Sequence, residues 1–128
     1  MRCLETTFVI DLLRGDAVAA ELARTWHEAG EDLAVAAPTI AEVLKGAYYR
    51  GGEALKAALS LLAQLEVLEI DRAVASEAGR IGAGLMRQGS AASRTDLLIA
   101  AAAMANHRIL VTRDERYSQV PGLLVESY

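Results

Sequence analysis

Glu5, Glu42, Asp96 and Asp114 are four acids from four separate segments, each lying beside an apolar run. Carboxylates gathered without a cation repel one another, which raises pKa values and costs stability. A hard divalent ion resolves that conflict. Mg²⁺ takes oxygen ligands, keeps several waters, and is typically bound by one or two carboxylates plus a substrate phosphate. A ligand set without His or Cys favours Mg²⁺ or Mn²⁺ over zinc. Glu5 stands in an otherwise apolar stretch, where a buried acid is expensive unless it is paired or coordinated.

The elements that must position these acids are read from periodicity and turn residues. Residues 2–5 form a short first strand, with a turn at Thr6–Thr7 and a short helix over 8–14 ending at Gly15. Asp16 caps a second helix, in which Val18, Leu22 and Trp26 share one face and Gly30 marks the end. Residues 33–36 read as a buried strand, and Thr39 opens the helix carrying Glu42 in its first turn. Gly51–Gly52 breaks the chain before a helix over 53–65 with Leu55, Leu59 and Leu62 at helical spacing. A third strand spans 67–70. Asp71 then caps a long helix whose buried face is Val74, Ala78, Ile81 and Leu85. A loop of small residues, 89–93, precedes a helix over 96–106 that is apolar on most sides. Residues 108–112 are the clearest strand, 114–118 a turn or short helix, and 123–126 the last strand.

Short apolar strands separated by helices argue for an α/β fold with a parallel sheet covered on both faces. Functional groups of such sheets gather at the carboxyl ends of the strands. Glu5 ends the first strand, Glu42 follows the second, Asp114 follows the fourth, and Asp96 opens the helix leading into it. The four acids therefore share a destination. Asp11, one turn into the first helix, is either a fifth, outer acid or an exposed helix residue.

Each acid also has a plainer reading. Thr39-Ile-Ala-Glu42 and Ser93-Arg-Thr-Asp96 both have the form of a capping box. Asp114 can cap a turn, and Glu5 can pair with an arginine. Joint placement at one edge is what favours the metal site over four separate local roles. His27 and His107 lack ligand spacing, and Cys3 reads as a buried strand residue. A phosphoacceptor receiver domain also gathers acids at a sheet edge, but needs a lysine beyond a late strand. Neither Lys45 nor Lys56 is so placed.

The bulk properties bound the alternatives. A chain of 128 residues fits one domain and needs no staple, and its single cysteine excludes an internal disulfide framework. A mean hydropathy of +0.23 owes much to alanine, and no uncharged apolar run reaches membrane-spanning length. Acids interrupt the first apolar stretch, unlike a secretory signal, so a cytoplasmic protein is expected. A net charge of −4 excludes a general polyanion-binding surface. Any nucleic acid must be held by a local device, and all but Lys45 and Lys56 of the 13 basic residues are arginine, the better phosphate fork.

At the acidic positions the sequence resembles the PIN-domain family, in particular the VapC-type toxins of toxin–antitoxin systems. Cys3-Leu-Glu-Thr-Thr-Phe-Val-Ile-Asp-Leu-Leu-Arg-Gly15 resembles the first motif, Thr39-Ile-Ala-Glu42-Val-Leu-Lys-Gly-Ala47 the second and Thr95-Asp96-Leu-Leu-Ile-Ala-Ala-Ala-Ala103 the third. Ile109-Leu-Val-Thr-Arg-Asp114-Glu-Arg-Tyr117, followed by Val120-Pro-Gly-Leu123, resembles the fourth motif and final strand. The resemblance implies one three-layer α/β/α domain over residues 1–128, with a central parallel sheet of four to five short strands. It implies an Mg²⁺- or Mn²⁺-dependent endoribonuclease that hydrolyses RNA phosphodiesters, a homodimer, and a small cognate VapB-like antitoxin that covers the acidic edge. Glu5, Asp96 and Asp114 would be metal ligands, with Glu42 completing the ring. Thr6 and Thr112 would hydrogen-bond a carboxylate or water, and Arg113 and Arg116 would hold RNA phosphates. Glu5 departs from the family's usual Asp. The added methylene moves the carboxylate outward at a site where geometry tolerates little. The alternative is thus a catalytically impaired module that binds an antitoxin or RNA without cutting.

Overall fold

The computed structural model describes all residues, 1–128. Strands and helices alternate as β1 (Arg2–Leu4), α1 (Thr6–Leu13), α2 (Ala17–Glu28), β2 (Leu33–Ala36), α3 (Ala37–Arg50), α4 (Gly52–Ala63) and β3 (Glu66–Leu68). They continue as α5 (Arg72–Arg87), α6 (Arg94–Ala105), β4 (Ile109–Val111), a 3-10 turn (Glu115–Gln119) and β5 (Val125–Glu126). The five strands form one parallel sheet in the order β3-β2-β1-β4-β5. Helices cover both faces, as the alternation of short apolar strands with helices requires. No helix is long and apolar enough to cross a membrane.

Strand side chains alternate between the two faces, and each face has its own core. Cys3, Ala34, Ala36 and Leu110 pack towards α5 and α6, joined by Val74, Ala78, Ile81, Leu85 and Ile99. Leu4, Val35 and Val111 pack towards α1 to α4, with Phe8, Val9, Trp26, Val43 and Leu62. Helix α6 is walled in because Ala100, Ala101, Ala102 and Ala103 are all buried. Its partner α5 approaches closely at Gly82, where a Cβ would lie 2.8 Å from Leu97 Cδ1. The Cys3 thiol is fully buried, and burial pushes its pKa up to about 12, which makes it a packing group rather than a nucleophile.

The amino ends of the strands are tied together by Arg108. Its buried side chain donates from Nη1 to the carbonyls of Arg2 (3.3 Å) and Asp32 (3.1 Å), and from Nη2 to Glu66. One guanidinium thus bridges β4 to the starts of β1, β2 and β3.

The caps at Asp16 and Asp71 form as expected, each side chain accepting a backbone N–H at 2.9 Å from Ala19 and Val74 respectively. Several boundaries differ. There is no Thr6–Thr7 turn: α1 begins at Thr6 directly after Glu5, so both threonines lie in its first turn. Helix α3 begins at Ala37, with Pro38 in its first turn, which moves Glu42 into the second turn. Val18 and Leu59 are solvent-facing, at 56% and 43% exposure, and Ala19 and Ala58 are buried beside them instead. Alanine shares the inner face there with Trp26 of α2 and Leu62 of α4.

Candidate active site at the acidic edge

Glu5 leaves β1 at its carboxyl end, and its backbone N–H donates to the Val111 carbonyl at 3.0 Å, holding it against the end of β4. The side chain is only 4% exposed. Its Oε1 accepts from Thr7 Oγ1 at 2.6 Å and Thr112 Oγ1 at 2.5 Å. No arginine pairs with it, contrary to the plainer reading of this residue. Burial pushes the Glu5 pKa up; the two threonine donors oppose that, and the Asp114 charge adds to it. Thr112 Oγ1 also accepts the Asp114 backbone N–H at 3.0 Å, so one hydroxyl ties the carboxyl ends of β1 and β4 together.

Glu42 projects from the second turn of α3 towards α1. Its Oε1 accepts from Thr6 Oγ1 at 2.6 Å, and Thr6 Oγ1 also lies 3.2 Å from Thr39 Oγ1. The capping-box reading of Thr39 and Glu42 fails, because α3 has no side-chain cap and Thr39 is three residues inside it. The second box is half right. Ser93 Oγ accepts the Asp96 backbone N–H at 3.1 Å, whereas the Asp96 carboxylate turns inward and takes the Tyr117 hydroxyl on Oδ1 at 3.0 Å. Asp114 caps the 3-10 turn by accepting the Arg116 backbone N–H at 3.0 Å, and it also holds the Arg116 side chain. That contact, chiefly, holds the Asp114 carboxyl below its usual range.

The acids share one neighbourhood. Burial raises the Tyr117 hydroxyl pKa, and the charges of Glu5, Asp96 and Glu42 raise it further. Asp11 is not an exposed residue: it accepts from Arg113 Nε at 2.8 Å and the Tyr128 hydroxyl at 2.6 Å, and the Arg113 backbone N–H lies 3.4 Å from the Thr7 hydroxyl that holds Glu5, which puts Asp11 in an outer position. Tyr128 in turn meets Phe8 edge-on at 4.9 Å between ring centroids. Arg113 and Arg116 therefore each face an acid, Asp11 for the first and Asp114 with Asp96 for the second.

The donor set is chemically suited to Mg²⁺ or Mn²⁺: carboxylate oxygens, hydroxyls, and no His or Cys. No three acids converge as a ready-made cage. Such ions are commonly held by one or two carboxylates with waters and substrate completing the shell, and the arrangement fits that form. Thr7, Thr39 and Tyr117 adjoin these acids, although the sequence reading gave Thr7 only a turn and Thr39 only a helix start. The signal for Thr7 was the pair of hydroxyl residues directly after Glu5. For Tyr117 it was the spacing of three from Asp114, which returns a side chain to the same side of a 3-10 turn.

The PIN domain family model matches residues 2–123. Among solved structures, VapBC2 from Rickettsia felis bound to a promoter DNA fragment is similar, with a TM-score of 0.88 and 19% identity over 99% of this chain and 98% of that one. DNA-bound VapBC from Salmonella typhimurium gives 0.82 and 24%, covering 99% and 98%. FitAcB from Neisseria gonorrhoeae gives 0.82 and 26%, covering 98% and 96%. No curated protein sequence matches.

Proposed function

Because the chain belongs to the PIN domain family, we propose that it is a metal-dependent endoribonuclease acting as the toxin of a type II toxin–antitoxin pair. The observation that carries this reading is Glu5, a nearly buried carboxylate facing two hydroxyls and the Asp114 charge, with no basic side chain to neutralise it. A buried charge in such surroundings is stabilised by a bound cation.

Glu5, Asp96 and Asp114 would hold Mg²⁺ or Mn²⁺, with Glu42 reaching it through water. When bound, such an ion supplies an activated water and stabilises charge developing on a phosphodiester. The chain's own groups set the geometry. Thr7 and Thr112 fix Glu5, Thr6 fixes Glu42, and Tyr117 fixes one oxygen of Asp96, leaving the other towards the edge. Arg113 and Arg116 border the edge and supply the positive charge that RNA phosphates need on an otherwise acidic protein. Similar structures include VapBC2 and a toxin–antitoxin complex, which supports a small VapB-like antitoxin as partner, and the toxin itself would be a homodimer. The test is cleavage of a total RNA pool with Mg²⁺, Mn²⁺ or EDTA. Asp96→Ala should abolish the metal-dependent cuts while leaving the fold intact, and full cleavage by that variant would sink the assignment.

The absence of a three-acid cage gives a second reading its footing: a module that binds antitoxin or RNA without cutting, impaired by the longer Glu5. Cleavage that appears only in Glu5→Asp would establish it.

A further inference from the structure

Arg116 forms the densest ionic contact of the acidic edge. Its Nε lies 3.0 and 3.2 Å from the two Asp114 oxygens, and its Nη2 lies 2.7 Å from Asp114 Oδ2. The same Nη2 lies 3.7 Å from Asp96 Oδ2. One guanidinium therefore draws together an acid of α6 and an acid of the 3-10 turn, on the oxygens that a metal ion would need. Its side chain is nevertheless 70% exposed, and its backbone N–H is fixed separately on Asp114 Oδ1. The side chain can thus swing out without unwinding the turn. Arg113 differs. Its ion pair is with Asp11, which Tyr128 also anchors, and not with Asp96 or Asp114.

We propose that Arg116 is an exchangeable counter-ion: it neutralises Asp96 and Asp114 until a divalent metal displaces it, and the released guanidinium then faces the RNA phosphate. This rests on the metal-site reading above and adds an order of events to it. A guanidinium and a divalent ion compete for the same carboxylate oxygens, so loading one expels the other. The expelled fork stays at the rim, two residues from Asp114, where its planar donors match a phosphate. Metal loading and substrate binding are thereby coupled through one side chain, and the affinity for metal is set below what the acids alone would give.

The experiment is calorimetric titration of Mn²⁺ alone into the purified chain, without RNA, for wild type, Arg116→Ala, Arg116→Lys and Arg113→Ala. Arg116→Ala should bind Mn²⁺ about threefold to tenfold more tightly, equivalent to roughly 0.7–1.4 kcal/mol. Arg116→Lys, which keeps the charge and loses the fork, should fall between. Arg113→Ala removes the same charge from the rim and should change affinity by less than about twofold, since its guanidinium pairs with Asp11 and contacts neither Asp96 nor Asp114. In parallel, the Arg116 Nε–H resonance of the wild type should move to that of a solvent-exposed arginine as Mg²⁺ is added. Equal or weaker Mn²⁺ binding by Arg116→Ala, or an equal gain from Arg113→Ala, overturns the exchange while leaving the metal site standing. Binding by none of the four proteins removes the exchange and the metal reading together.

Discussion

Replacing Glu5 by Gln tests the physics of the site without any substrate. Glu5 is buried, and its ionised form has two threonine donors but no cation. Its pKa is raised in the fold, so the folded state holds the Glu5 proton more tightly than the unfolded chain does. The linkage sign follows: the stability this group contributes is present below the unfolded pKa and is lost as pH rises through the raised folded value. At pH 8 in EDTA the wild type bears the full cost of a buried carboxylate. Glutamine keeps the shape, and its amide oxygen accepts the same two hydroxyls. Removing a destabilising active-site charge of this kind is worth about 1 kcal/mol. For 128 residues the unfolding entropy is about 0.27 kcal/mol/K, so Tm should rise by about 4 °C at pH 8. The gain should shrink as pH falls below the unfolded glutamate pKa of about 4.3, where Glu5 carries its proton in both states. Mn²⁺ at one hundred times its Kd should add about 2.7 kcal/mol to the wild type, or roughly 10 °C, and much less to Glu5→Gln. Thermal scans at several pH values, with EDTA or Mn²⁺, read all of this. A Glu5→Gln protein that is less stable at pH 8 in EDTA, or a difference that does not vary with pH, refutes the reasoning.

Two further outcomes are expected. Tyr117→Phe removes the hydroxyl that holds Asp96 Oδ1 and should cost about 1–2 kcal/mol in urea unfolding at an unchanged m-value, because Asp96 is only partly buried and water can take the vacated position; any metal-dependent cleavage should fall with it. Gly79→Ala, on the exposed side of α5 where a Cβ meets open space, should raise stability by about 0.5–1 kcal/mol through helix propensity alone, a Tm gain of roughly 2–4 °C that a thermal scan detects.

Much of the fold was legible because the strands are short and mostly apolar and several helices begin at a side-chain cap. Asp16 and Asp71 mark helix starts that the structure keeps, and the face Val74, Ala78, Ile81 and Leu85 is buried as its spacing requires. What failed were local boundaries. Thr6–Thr7 looks like a turn because hydroxyl residues commonly stand there, yet these hydroxyls are consumed by Glu5 and Glu42, which frees the backbone to start a helix. The Thr39 and Glu42 capping box matches a pattern, but helix α3 had already begun at Ala37, a start that Pro38 favours. At the candidate site, the placement of Glu5, Glu42 and Asp114 after strands, and of Asp96 at the start of the helix before β4, was legible. Their partners were not. Which hydroxyl meets which carboxylate depends on side chains from α1, α3 and the end of β4 meeting across the edge, and no spacing in one segment encodes that.

The strand order bears on when the acidic edge comes into existence during synthesis. β1 lies at the centre of the sheet, between β2 and β4, and its register with β4 joins Arg2, Cys3 and Leu4 to Ile109, Leu110 and Val111. The half of the sheet made by β1, β2 and β3 is specified by residues that leave the ribosome early. The other half waits for β4. Thr112, Asp114 and Tyr117 all follow β4, so the second hydroxyl on Glu5 and the hydroxyl on Asp96 are made only after it, whereas Thr7 is made beside Glu5. A growing chain therefore holds Glu5 without Thr112 until β4 is complete, and a chain cut short before β4 contains three of the four acids but no assembled edge. The edge therefore assembles only once β4 has joined the sheet, however early β1, β2 and β3 have paired.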